Sequence, residues 1–495
     1  MHDLVVRGGT VFDGSGAPPR QADVAIAGGR VVAIDRLPPG GAAREVDAAG
    51  ALVTPGFVDI HTHYDLCVDW PGLGEHCLRQ GITSVVGGNC GLGDPDPGAL
   101  LARARAARLP VHLGVLAPFG PLRGLVVPRH EGRPARPDEV PLVAAAVAQA
   151  LDQGALGLSW GPYHGNTLAS PDELAAAVAT AARRGKPLVV HRRSEGVHGL
   201  AATREAIALA RAAGARLQVS HLKAAGRVHW GQFEPVLEAL DDARRDLDVA
   251  VDVYPYDASL TYLSAMLPNE LTADGRLLEA LATRDGRARA RAAVATWFAE
   301  RQGPEHVVVH EPTLPAVPRG SSLLAAARAL GEDDAAEAAL RLIAADPRGT
   351  GGWTTYKHTM APEQVEHALD LPWAAIASDA VPEEDGSGLS TSTHPRCFST
   401  FARALGRAAR RGDDALARAV RQATSLPAAR FGLERGRLAP GAPADLVVLR
   451  DLDDVATHEA PARYPPGVAA VVVEGALALV DGALTGARPG VILAG

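Results

Sequence analysis

The chain has 495 residues, 47% hydrophobic and 21% charged, with 49 Lys+Arg against 57 Asp+Glu and a formal charge of -8. A mean hydropathy of +0.02, with no uninterrupted apolar run near the ~20 residues that cross a bilayer, argues against a membrane partner, and the acidic balance argues against one bound through phosphates, so nucleic acid is not expected. Four cysteines (Cys67, Cys77, Cys90, Cys397) are too few for a disulfide framework, and the start MHDLVVRGGTVFDGSG has no apolar core behind a basic segment; a reducing, cytoplasmic setting is expected.

Residues 1–55 read as short strands, LVVRGGTVFDG, ADVAIAGGRVVAI and AREVDAAGALVTPG, with turns at Gly-Gly, Gly-Arg and Pro-Gly. Residues 426–495 repeat that style in ADLVVL and AAVVVEGALALVDGALTG before an Arg-Pro-Gly tail. Between them, apolar runs alternate with Ala/Arg/Glu-rich helical stretches: 56–63, 82–90, 111–117, 154–160, 188–191, 217–221, 249–256 and 374–380. Continuous Val/Ile/Leu runs with room for a crossover helix after each are what buried parallel strands require. Eight such units predict an α/β chain with a (β/α)8 TIM barrel over 56–425. The interval after the seventh run is too long for a bare connection and predicts a helical insertion at about 268–350. The two β ends predict one small β-sandwich domain.

Active sites of such barrels lie at the C-terminal strand ends. There stand His61 and His63 on the first run, Cys90 on the second, His191 on the fifth, His221 on the sixth and Asp379 on the eighth. A lone buried histidine is usually a hydrogen-bonded core residue. Six metal-ligand types at the ends of five runs point instead to a metal centre, and the period of two in His61-Thr62-His63 puts both imidazoles on one face. No Gly-x-Ser-x-Gly elbow suggests a serine nucleophile.

The residues TPGFVDIHTHYD (54–65), GGNCG (87–91), GLS (157–159), HRRSEG (191–196), SHLKAAGRVHWG (220–231), VDVYPY (251–256), SDA (378–380) and HPR (394–396) carry a resemblance over essentially the whole chain. It resembles the amidohydrolase superfamily, within it the D-aminoacylase (N-acyl-D-amino-acid deacylase) family. The resemblance implies Zn2+, held tightly by Cys90, His191 and His221, with a second, weaker position at His61, His63 and Asp379. It implies a linear amide as substrate, attacked by a zinc-activated water with Asp379 moving the proton. Lys223, Tyr254 and Arg396 match positions that hold the substrate's carboxylate, and Tyr163 lies near a matching aromatic.

The alternative is a cyclic amide hydrolase of the hydantoinase or dihydroorotase kind; these often bridge two metals with a carboxylated lysine on the fourth strand, where GALGLSW has none. A catalytically silent barrel would be expected to have lost ligands, and all six positions are filled. The chain departs from the family at Leu260, Trp160 and Phe119, in a short 161–170 segment, and in a long 381–396 loop carrying Glu383, Glu384 and Asp385. These departures bear on which amide is cleaved. Oligomeric state is not legible.

Overall fold

The computed structural model describes residues 1–161, 168–272, 275–382 and 394–494. All eight predicted barrel strands form, at Phe57–Asp59, Ile82–Gly87, His112–Val115, Leu158–Trp160, Leu188–Val190, Leu217–Val219, Val249–Val253 and Ala374–Ile376. Every neighbouring pair is parallel. The third strand is broken at Leu116 and continues as Ala117–Pro118. Its first half pairs with the second strand and its second half with the fourth.

The ring closes past the strand ends. Thr62 and Ala380 form a parallel bridge, His63 N donates to Ala380 O at 2.9 Å, and Asp379 N donates to His61 O at 2.9 Å. First and eighth strands therefore meet at the two segments that carry candidate ligands.

Helices cover the outside of the ring, among them Pro97–Ala107, Val140–Asp152, Pro171–Ala182, Gly199–Ala213, Phe233–Ala243 and Pro362–Asp370. Pro171–Ala182 is locally well specified: Ser170 accepts from Glu173 N while the Glu173 carboxylate accepts from Ser170 N, a reciprocal cap with proline in the first turn. Val58, Val86, Leu116, Leu156, Val189 and Ala375 fill the interior of the ring together with Leu493 from the C-terminus.

Both chain ends build one β domain. Its nine-stranded sheet joins Leu52–Pro55 to Leu446–Leu449 in antiparallel register. The first strand, His2–Val11, turns from one layer to the other: its start pairs with Ala42–Asp47 and its end with Leu52–Pro55. Gly8, at φ +67°, stands at that corner. Leu4, Val24, Ile26, Leu446, Val448 and Val472 share the resulting core.

The long connection after the seventh strand keeps the expected helices, notably Arg284–Glu300, Leu323–Leu330 and Ala335–Ala345, and adds a small antiparallel sheet. In that sheet Ser259–Tyr262 pairs with Trp353–Tyr356, and Val307–Val309 pairs with the latter as well. The segment has an apolar core of its own and stands over the C-terminal end of the barrel.

Candidate active site

All six predicted ligands are buried and meet at the C-terminal end of the ring. Cys90 Sγ lies 3.4 Å from His61 Nε2 and 3.7 Å from His221 Nε2. Asp379 Oδ1 lies 3.4 Å from His61 Nε2 and 3.5 Å from His63 Nε2. His191 packs edge-on against His221, ring centres 4.5 Å apart, and hydrogen-bonds Cys90. His61 thus stands between the two expected triplets and faces Cys90 and Asp379 together.

The backbone explains how these side chains converge. Asn89 Nδ2 donates to Ile60 O, Thr62 O and Val86 O at 3.0–3.2 Å, tying the turn after the second strand to the first. Gly88 N donates to Asp65 Oδ1 at 2.7 Å and Gly91 N to Ser159 Oγ at 2.8 Å. Cys90 itself adopts φ 57°, His221 φ 33° and Asp379 φ 51°. Left-handed backbone at non-glycine residues costs on the order of 1–3 kcal/mol each and gathers at functional sites. Here it aims three candidate ligands at one point.

Two further carboxylates fix the imidazoles. Asp252 Oδ1 lies 2.9 Å from His61 Nδ1 and accepts from His221 N at 2.8 Å, while Gln218 Nε2 donates to its other oxygen. Glu195 Oε1 lies 2.8 Å from His221 Nδ1. With the Nδ1 of His61 and of His221 turned to carboxylates, their Nε2 atoms face Cys90, the arrangement that orients metal-bound histidines.

The charges reflect this crowding. Burial opposes a thiolate at Cys90, but His61, His191 and His221 draw its pKa well below the ordinary thiol value. Burial likewise opposes ionised Asp379, and Arg396 with the surrounding histidines holds it well below the ordinary carboxylate value. Burial works against a charged His63, yet Asp379 and Cys90 raise its pKa to about 9. The pocket is built for cations against a thiolate and carboxylates. Cys, His and Asp donors are those of zinc sites, and the set fits that ion.

A cavity of about 420 Å³ opens onto these residues, and the insertion forms its far wall through Leu260, Tyr262, Leu277, Trp297 and Trp353. Lys223, Tyr254 and Arg396 line it. Arg396 Nη1 is 2.9 Å from Asp379 Oδ2, and Lys223 Nζ is 3.0 Å from Glu195 Oε1. Both cations lie over the Tyr254 ring, at 4.7 and 5.6 Å. Tyr256 packs instead against Arg403 and His394, so Tyr254 is the tyrosine of this turn that faces the cavity. Tyr163, and Glu383, Glu384 and Asp385 of the long loop, lie outside the described residues.

Residues 44–478 match the amidohydrolase family model Amidohydro_3. The chain belongs to the amidohydrolase family. N-acyl-D-glutamate deacylase of Alcaligenes xylosoxydans xylosoxydans is 34% identical over 99% of this chain and 96% of its own length. D-aminoacylase of the same organism is 30% identical over 99% and 97%. The crystal structure of N-acyl-D-glutamate deacylase from Bordetella bronchiseptica, complexed with zinc and a phosphonate mimic of the tetrahedral intermediate, superimposes with a TM-score of 0.84 at 29% identity, covering 100% of both chains.

Sequence reasoning on this amidohydrolase named neither Glu195 nor Asp252 as a site residue. Asp252 had a signal: a carboxylate inside the Val-rich run VAVDV is buried and must be paired. Glu195 stands in the HRRSEG motif, four residues after His191. Of the departures from the family pattern, Leu260 lines the cavity and its carbonyl accepts from Arg396 Nη2 at 3.3 Å. Trp160 is buried, with the Arg193 guanidinium 5.1 Å over its ring. Phe119 is fully buried in the main core.

Proposed function

We propose that this amidohydrolase is a zinc-dependent deacylase of N-acyl-D-amino acids or related D-configured amides. The convergence of Cys90, His191, His221, His61, His63 and Asp379 at one end of the barrel carries this reading. Cys90, His191 and His221 would hold a tight zinc ion, and His61, His63 and Asp379 a weaker one. When bound, zinc supplies a Lewis acid and an activated water at neutral pH.

The chain's own residues supply the rest. The Asp379 carboxylate, kept ionised by Arg396 and open to the cavity, takes the water proton and returns it to the departing amine nitrogen. Arg396, Lys223 and the Tyr254 hydroxyl would orient the substrate's carboxylate, a guanidinium fork and an ammonium being suited to an anion. Tyr163 belongs to the same substrate-binding set on the strength of the resemblance. The insertion supplies the apolar far wall of the cavity through Leu260, Tyr262, Leu277, Trp297 and Trp353. A ligand set without a fourth-strand lysine favours this reading over cyclic amide hydrolysis. The proposed partner is a small-molecule amide, with neither nucleic acid nor membrane expected from the composition. All four cysteines are buried thiols, which supports a cytoplasmic setting.

Metal analysis alongside amine release from N-acetyl-D- and L-amino acids and ring opening of cyclic ureides tests the proposal. D-selective release that a chelator removes and zinc restores is expected. Ring opening without deacylation would sink it.

A further inference from the structure

The cavity carries more positive charge than one substrate carboxylate answers. Six arginine and lysine side chains line it, against the carboxylates of Glu195 and Asp379. Most are already engaged: Arg396 with Asp379, Lys223 with Glu195, Arg193 with Glu205, Arg348 with Asp346, and Arg192 with Thr203 and the Lys223 carbonyl. Arg301 is the exception, with no carboxylate at ion-pair distance among the described residues. Among the described residues its guanidinium carbon lies 5.6 Å from the Trp297 ring. The nearby Glu195 is already shared between Lys223 and His221.

Arg301 is nonetheless held in place by construction. It follows the insertion helix Arg284–Glu300, and its N bonds Trp297 O at 3.0 Å. Its stem and head lie across two glycines of the barrel loops. A Cβ at Gly226 would come within 2.7 Å of Arg301 Cγ, and one at Gly196 within 2.8 Å of a terminal guanidinium nitrogen. Gly196 closes the HRRSEG segment and Gly226 lies three residues past Lys223, so the insertion delivers this cation beside the loops that carry His191 and His221. A partly buried guanidinium with no anion is costly. A ligand that brings the anion removes that cost.

Building on the deacylase reading, we infer that Arg301 forms a second anion subsite and that the substrate carries a carboxylate beyond the one oriented by Arg396, Lys223 and Tyr254. That group sits either on the amino-acid side chain or on the acyl chain. A planar guanidinium against a carboxylate gives bidentate pairing that a neutral side chain cannot replace. Arg301 is therefore a specificity-determining residue supplied by the insertion.

The test compares zinc-loaded wild type with Arg301→Met, which keeps the stem over Gly226, and with Arg301→Lys, which keeps the charge. The substrates are N-acetyl-D-glutamate, N-succinyl-D-leucine and N-acetyl-D-leucine. Arg301→Met should lower kcat/KM for one of the two diacids at least about tenfold more than for N-acetyl-D-leucine, chiefly through KM, with partial recovery in Arg301→Lys. Which diacid responds locates the second carboxylate. Equal losses on all three substrates would overturn the subsite. Should none be hydrolysed, the deacylase reading fails, and calorimetric titration with glutarate decides the subsite by itself. At least about tenfold tighter binding to wild type than to Arg301→Met supports it, and equal binding overturns it.

Discussion

In the proposed mechanism, Asp379 is the residue on which metal binding and proton transfer meet. One carboxylate oxygen faces His61 and His63 and the other faces Arg396, so its anionic form is held from two sides and one oxygen stays directed at the candidate metal ligands. Asp379→Asn keeps the shape and removes the proton-accepting charge. It should lower kcat by about 10²–10⁴, the usual range for a lost general acid/base, while zinc stays with Cys90, His191 and His221; kinetics and metal content on the same preparation check both. Near-normal kcat removes Asp379 from that role. Asp252 acts through His61. Asp252→Asn can donate where the carboxylate accepted, so His61 Nε2 no longer faces Cys90 and Asp379 in its ligand tautomer. Zinc affinity measured by chelator competition should fall about 10–100-fold, with less loss in Asp252→Glu.

At the scale of elements, the turn that carries Cys90 depends on close backbone approach. A Cβ on Gly161, just past the fourth strand, would lie 2.2 Å from Cys90 O. Backbone cannot yield as a flexible side chain does, so Gly161→Ala should displace the turn, cost about 1–3 kcal/mol and release zinc, seen as a lower melting temperature with reduced metal content. The eight barrel strands were legible because each is a buried apolar run, and the candidate ligands because they sit where those runs end. Other elements left no such trace. The insertion strands SLTY and WTTY are four residues each and pair with each other across the ninety positions between them, too short for periodicity to register. The break at Leu116 falls within an unbroken apolar run, VHLGVLA, so sequence shows one strand where the ring needs two halves. Glu195 is polar in a polar loop, and only the fold brings it to His221.

For the whole molecule, the question is what keeps the β domain and the barrel together, since the first and last strands of the chain belong to one and the catalytic ring to the other. The C-terminal tail supplies part of the answer: Leu113 N donates to Val491 O, Leu493 N donates to Leu113 O at 2.8 Å, and the Leu493 side chain joins the ring's interior. The other part is polar and buried. His112 of the third barrel strand lies 3.2 Å from Asp445, which pairs with Arg435 at 2.5 Å and accepts from Glu474 N at 2.8 Å; Arg435 in turn pairs with Glu474. Burial raises the Asp445 pKa, but His112 and Arg435 outweigh it and bring the carboxyl down to about 2. A depressed carboxylate contributes stability that is fully present above its ordinary pKa near 3.8 and is lost as pH falls through its folded value. The contribution is on the order of 2 kcal/mol, disappearing between about pH 4 and pH 2. Asp445→Asn leaves Arg435 and His112 facing a neutral amide and should cost about 3–5 kcal/mol at neutral pH, as when one partner of a buried pair is removed. The gap in melting temperature between wild type and variant should be widest from pH 5 to 7 and narrow as the pH drops below 4. A gap that stays constant down to pH 3 and below would mean that Asp445 acts by packing, and that the tail around Leu493 bears the junction instead.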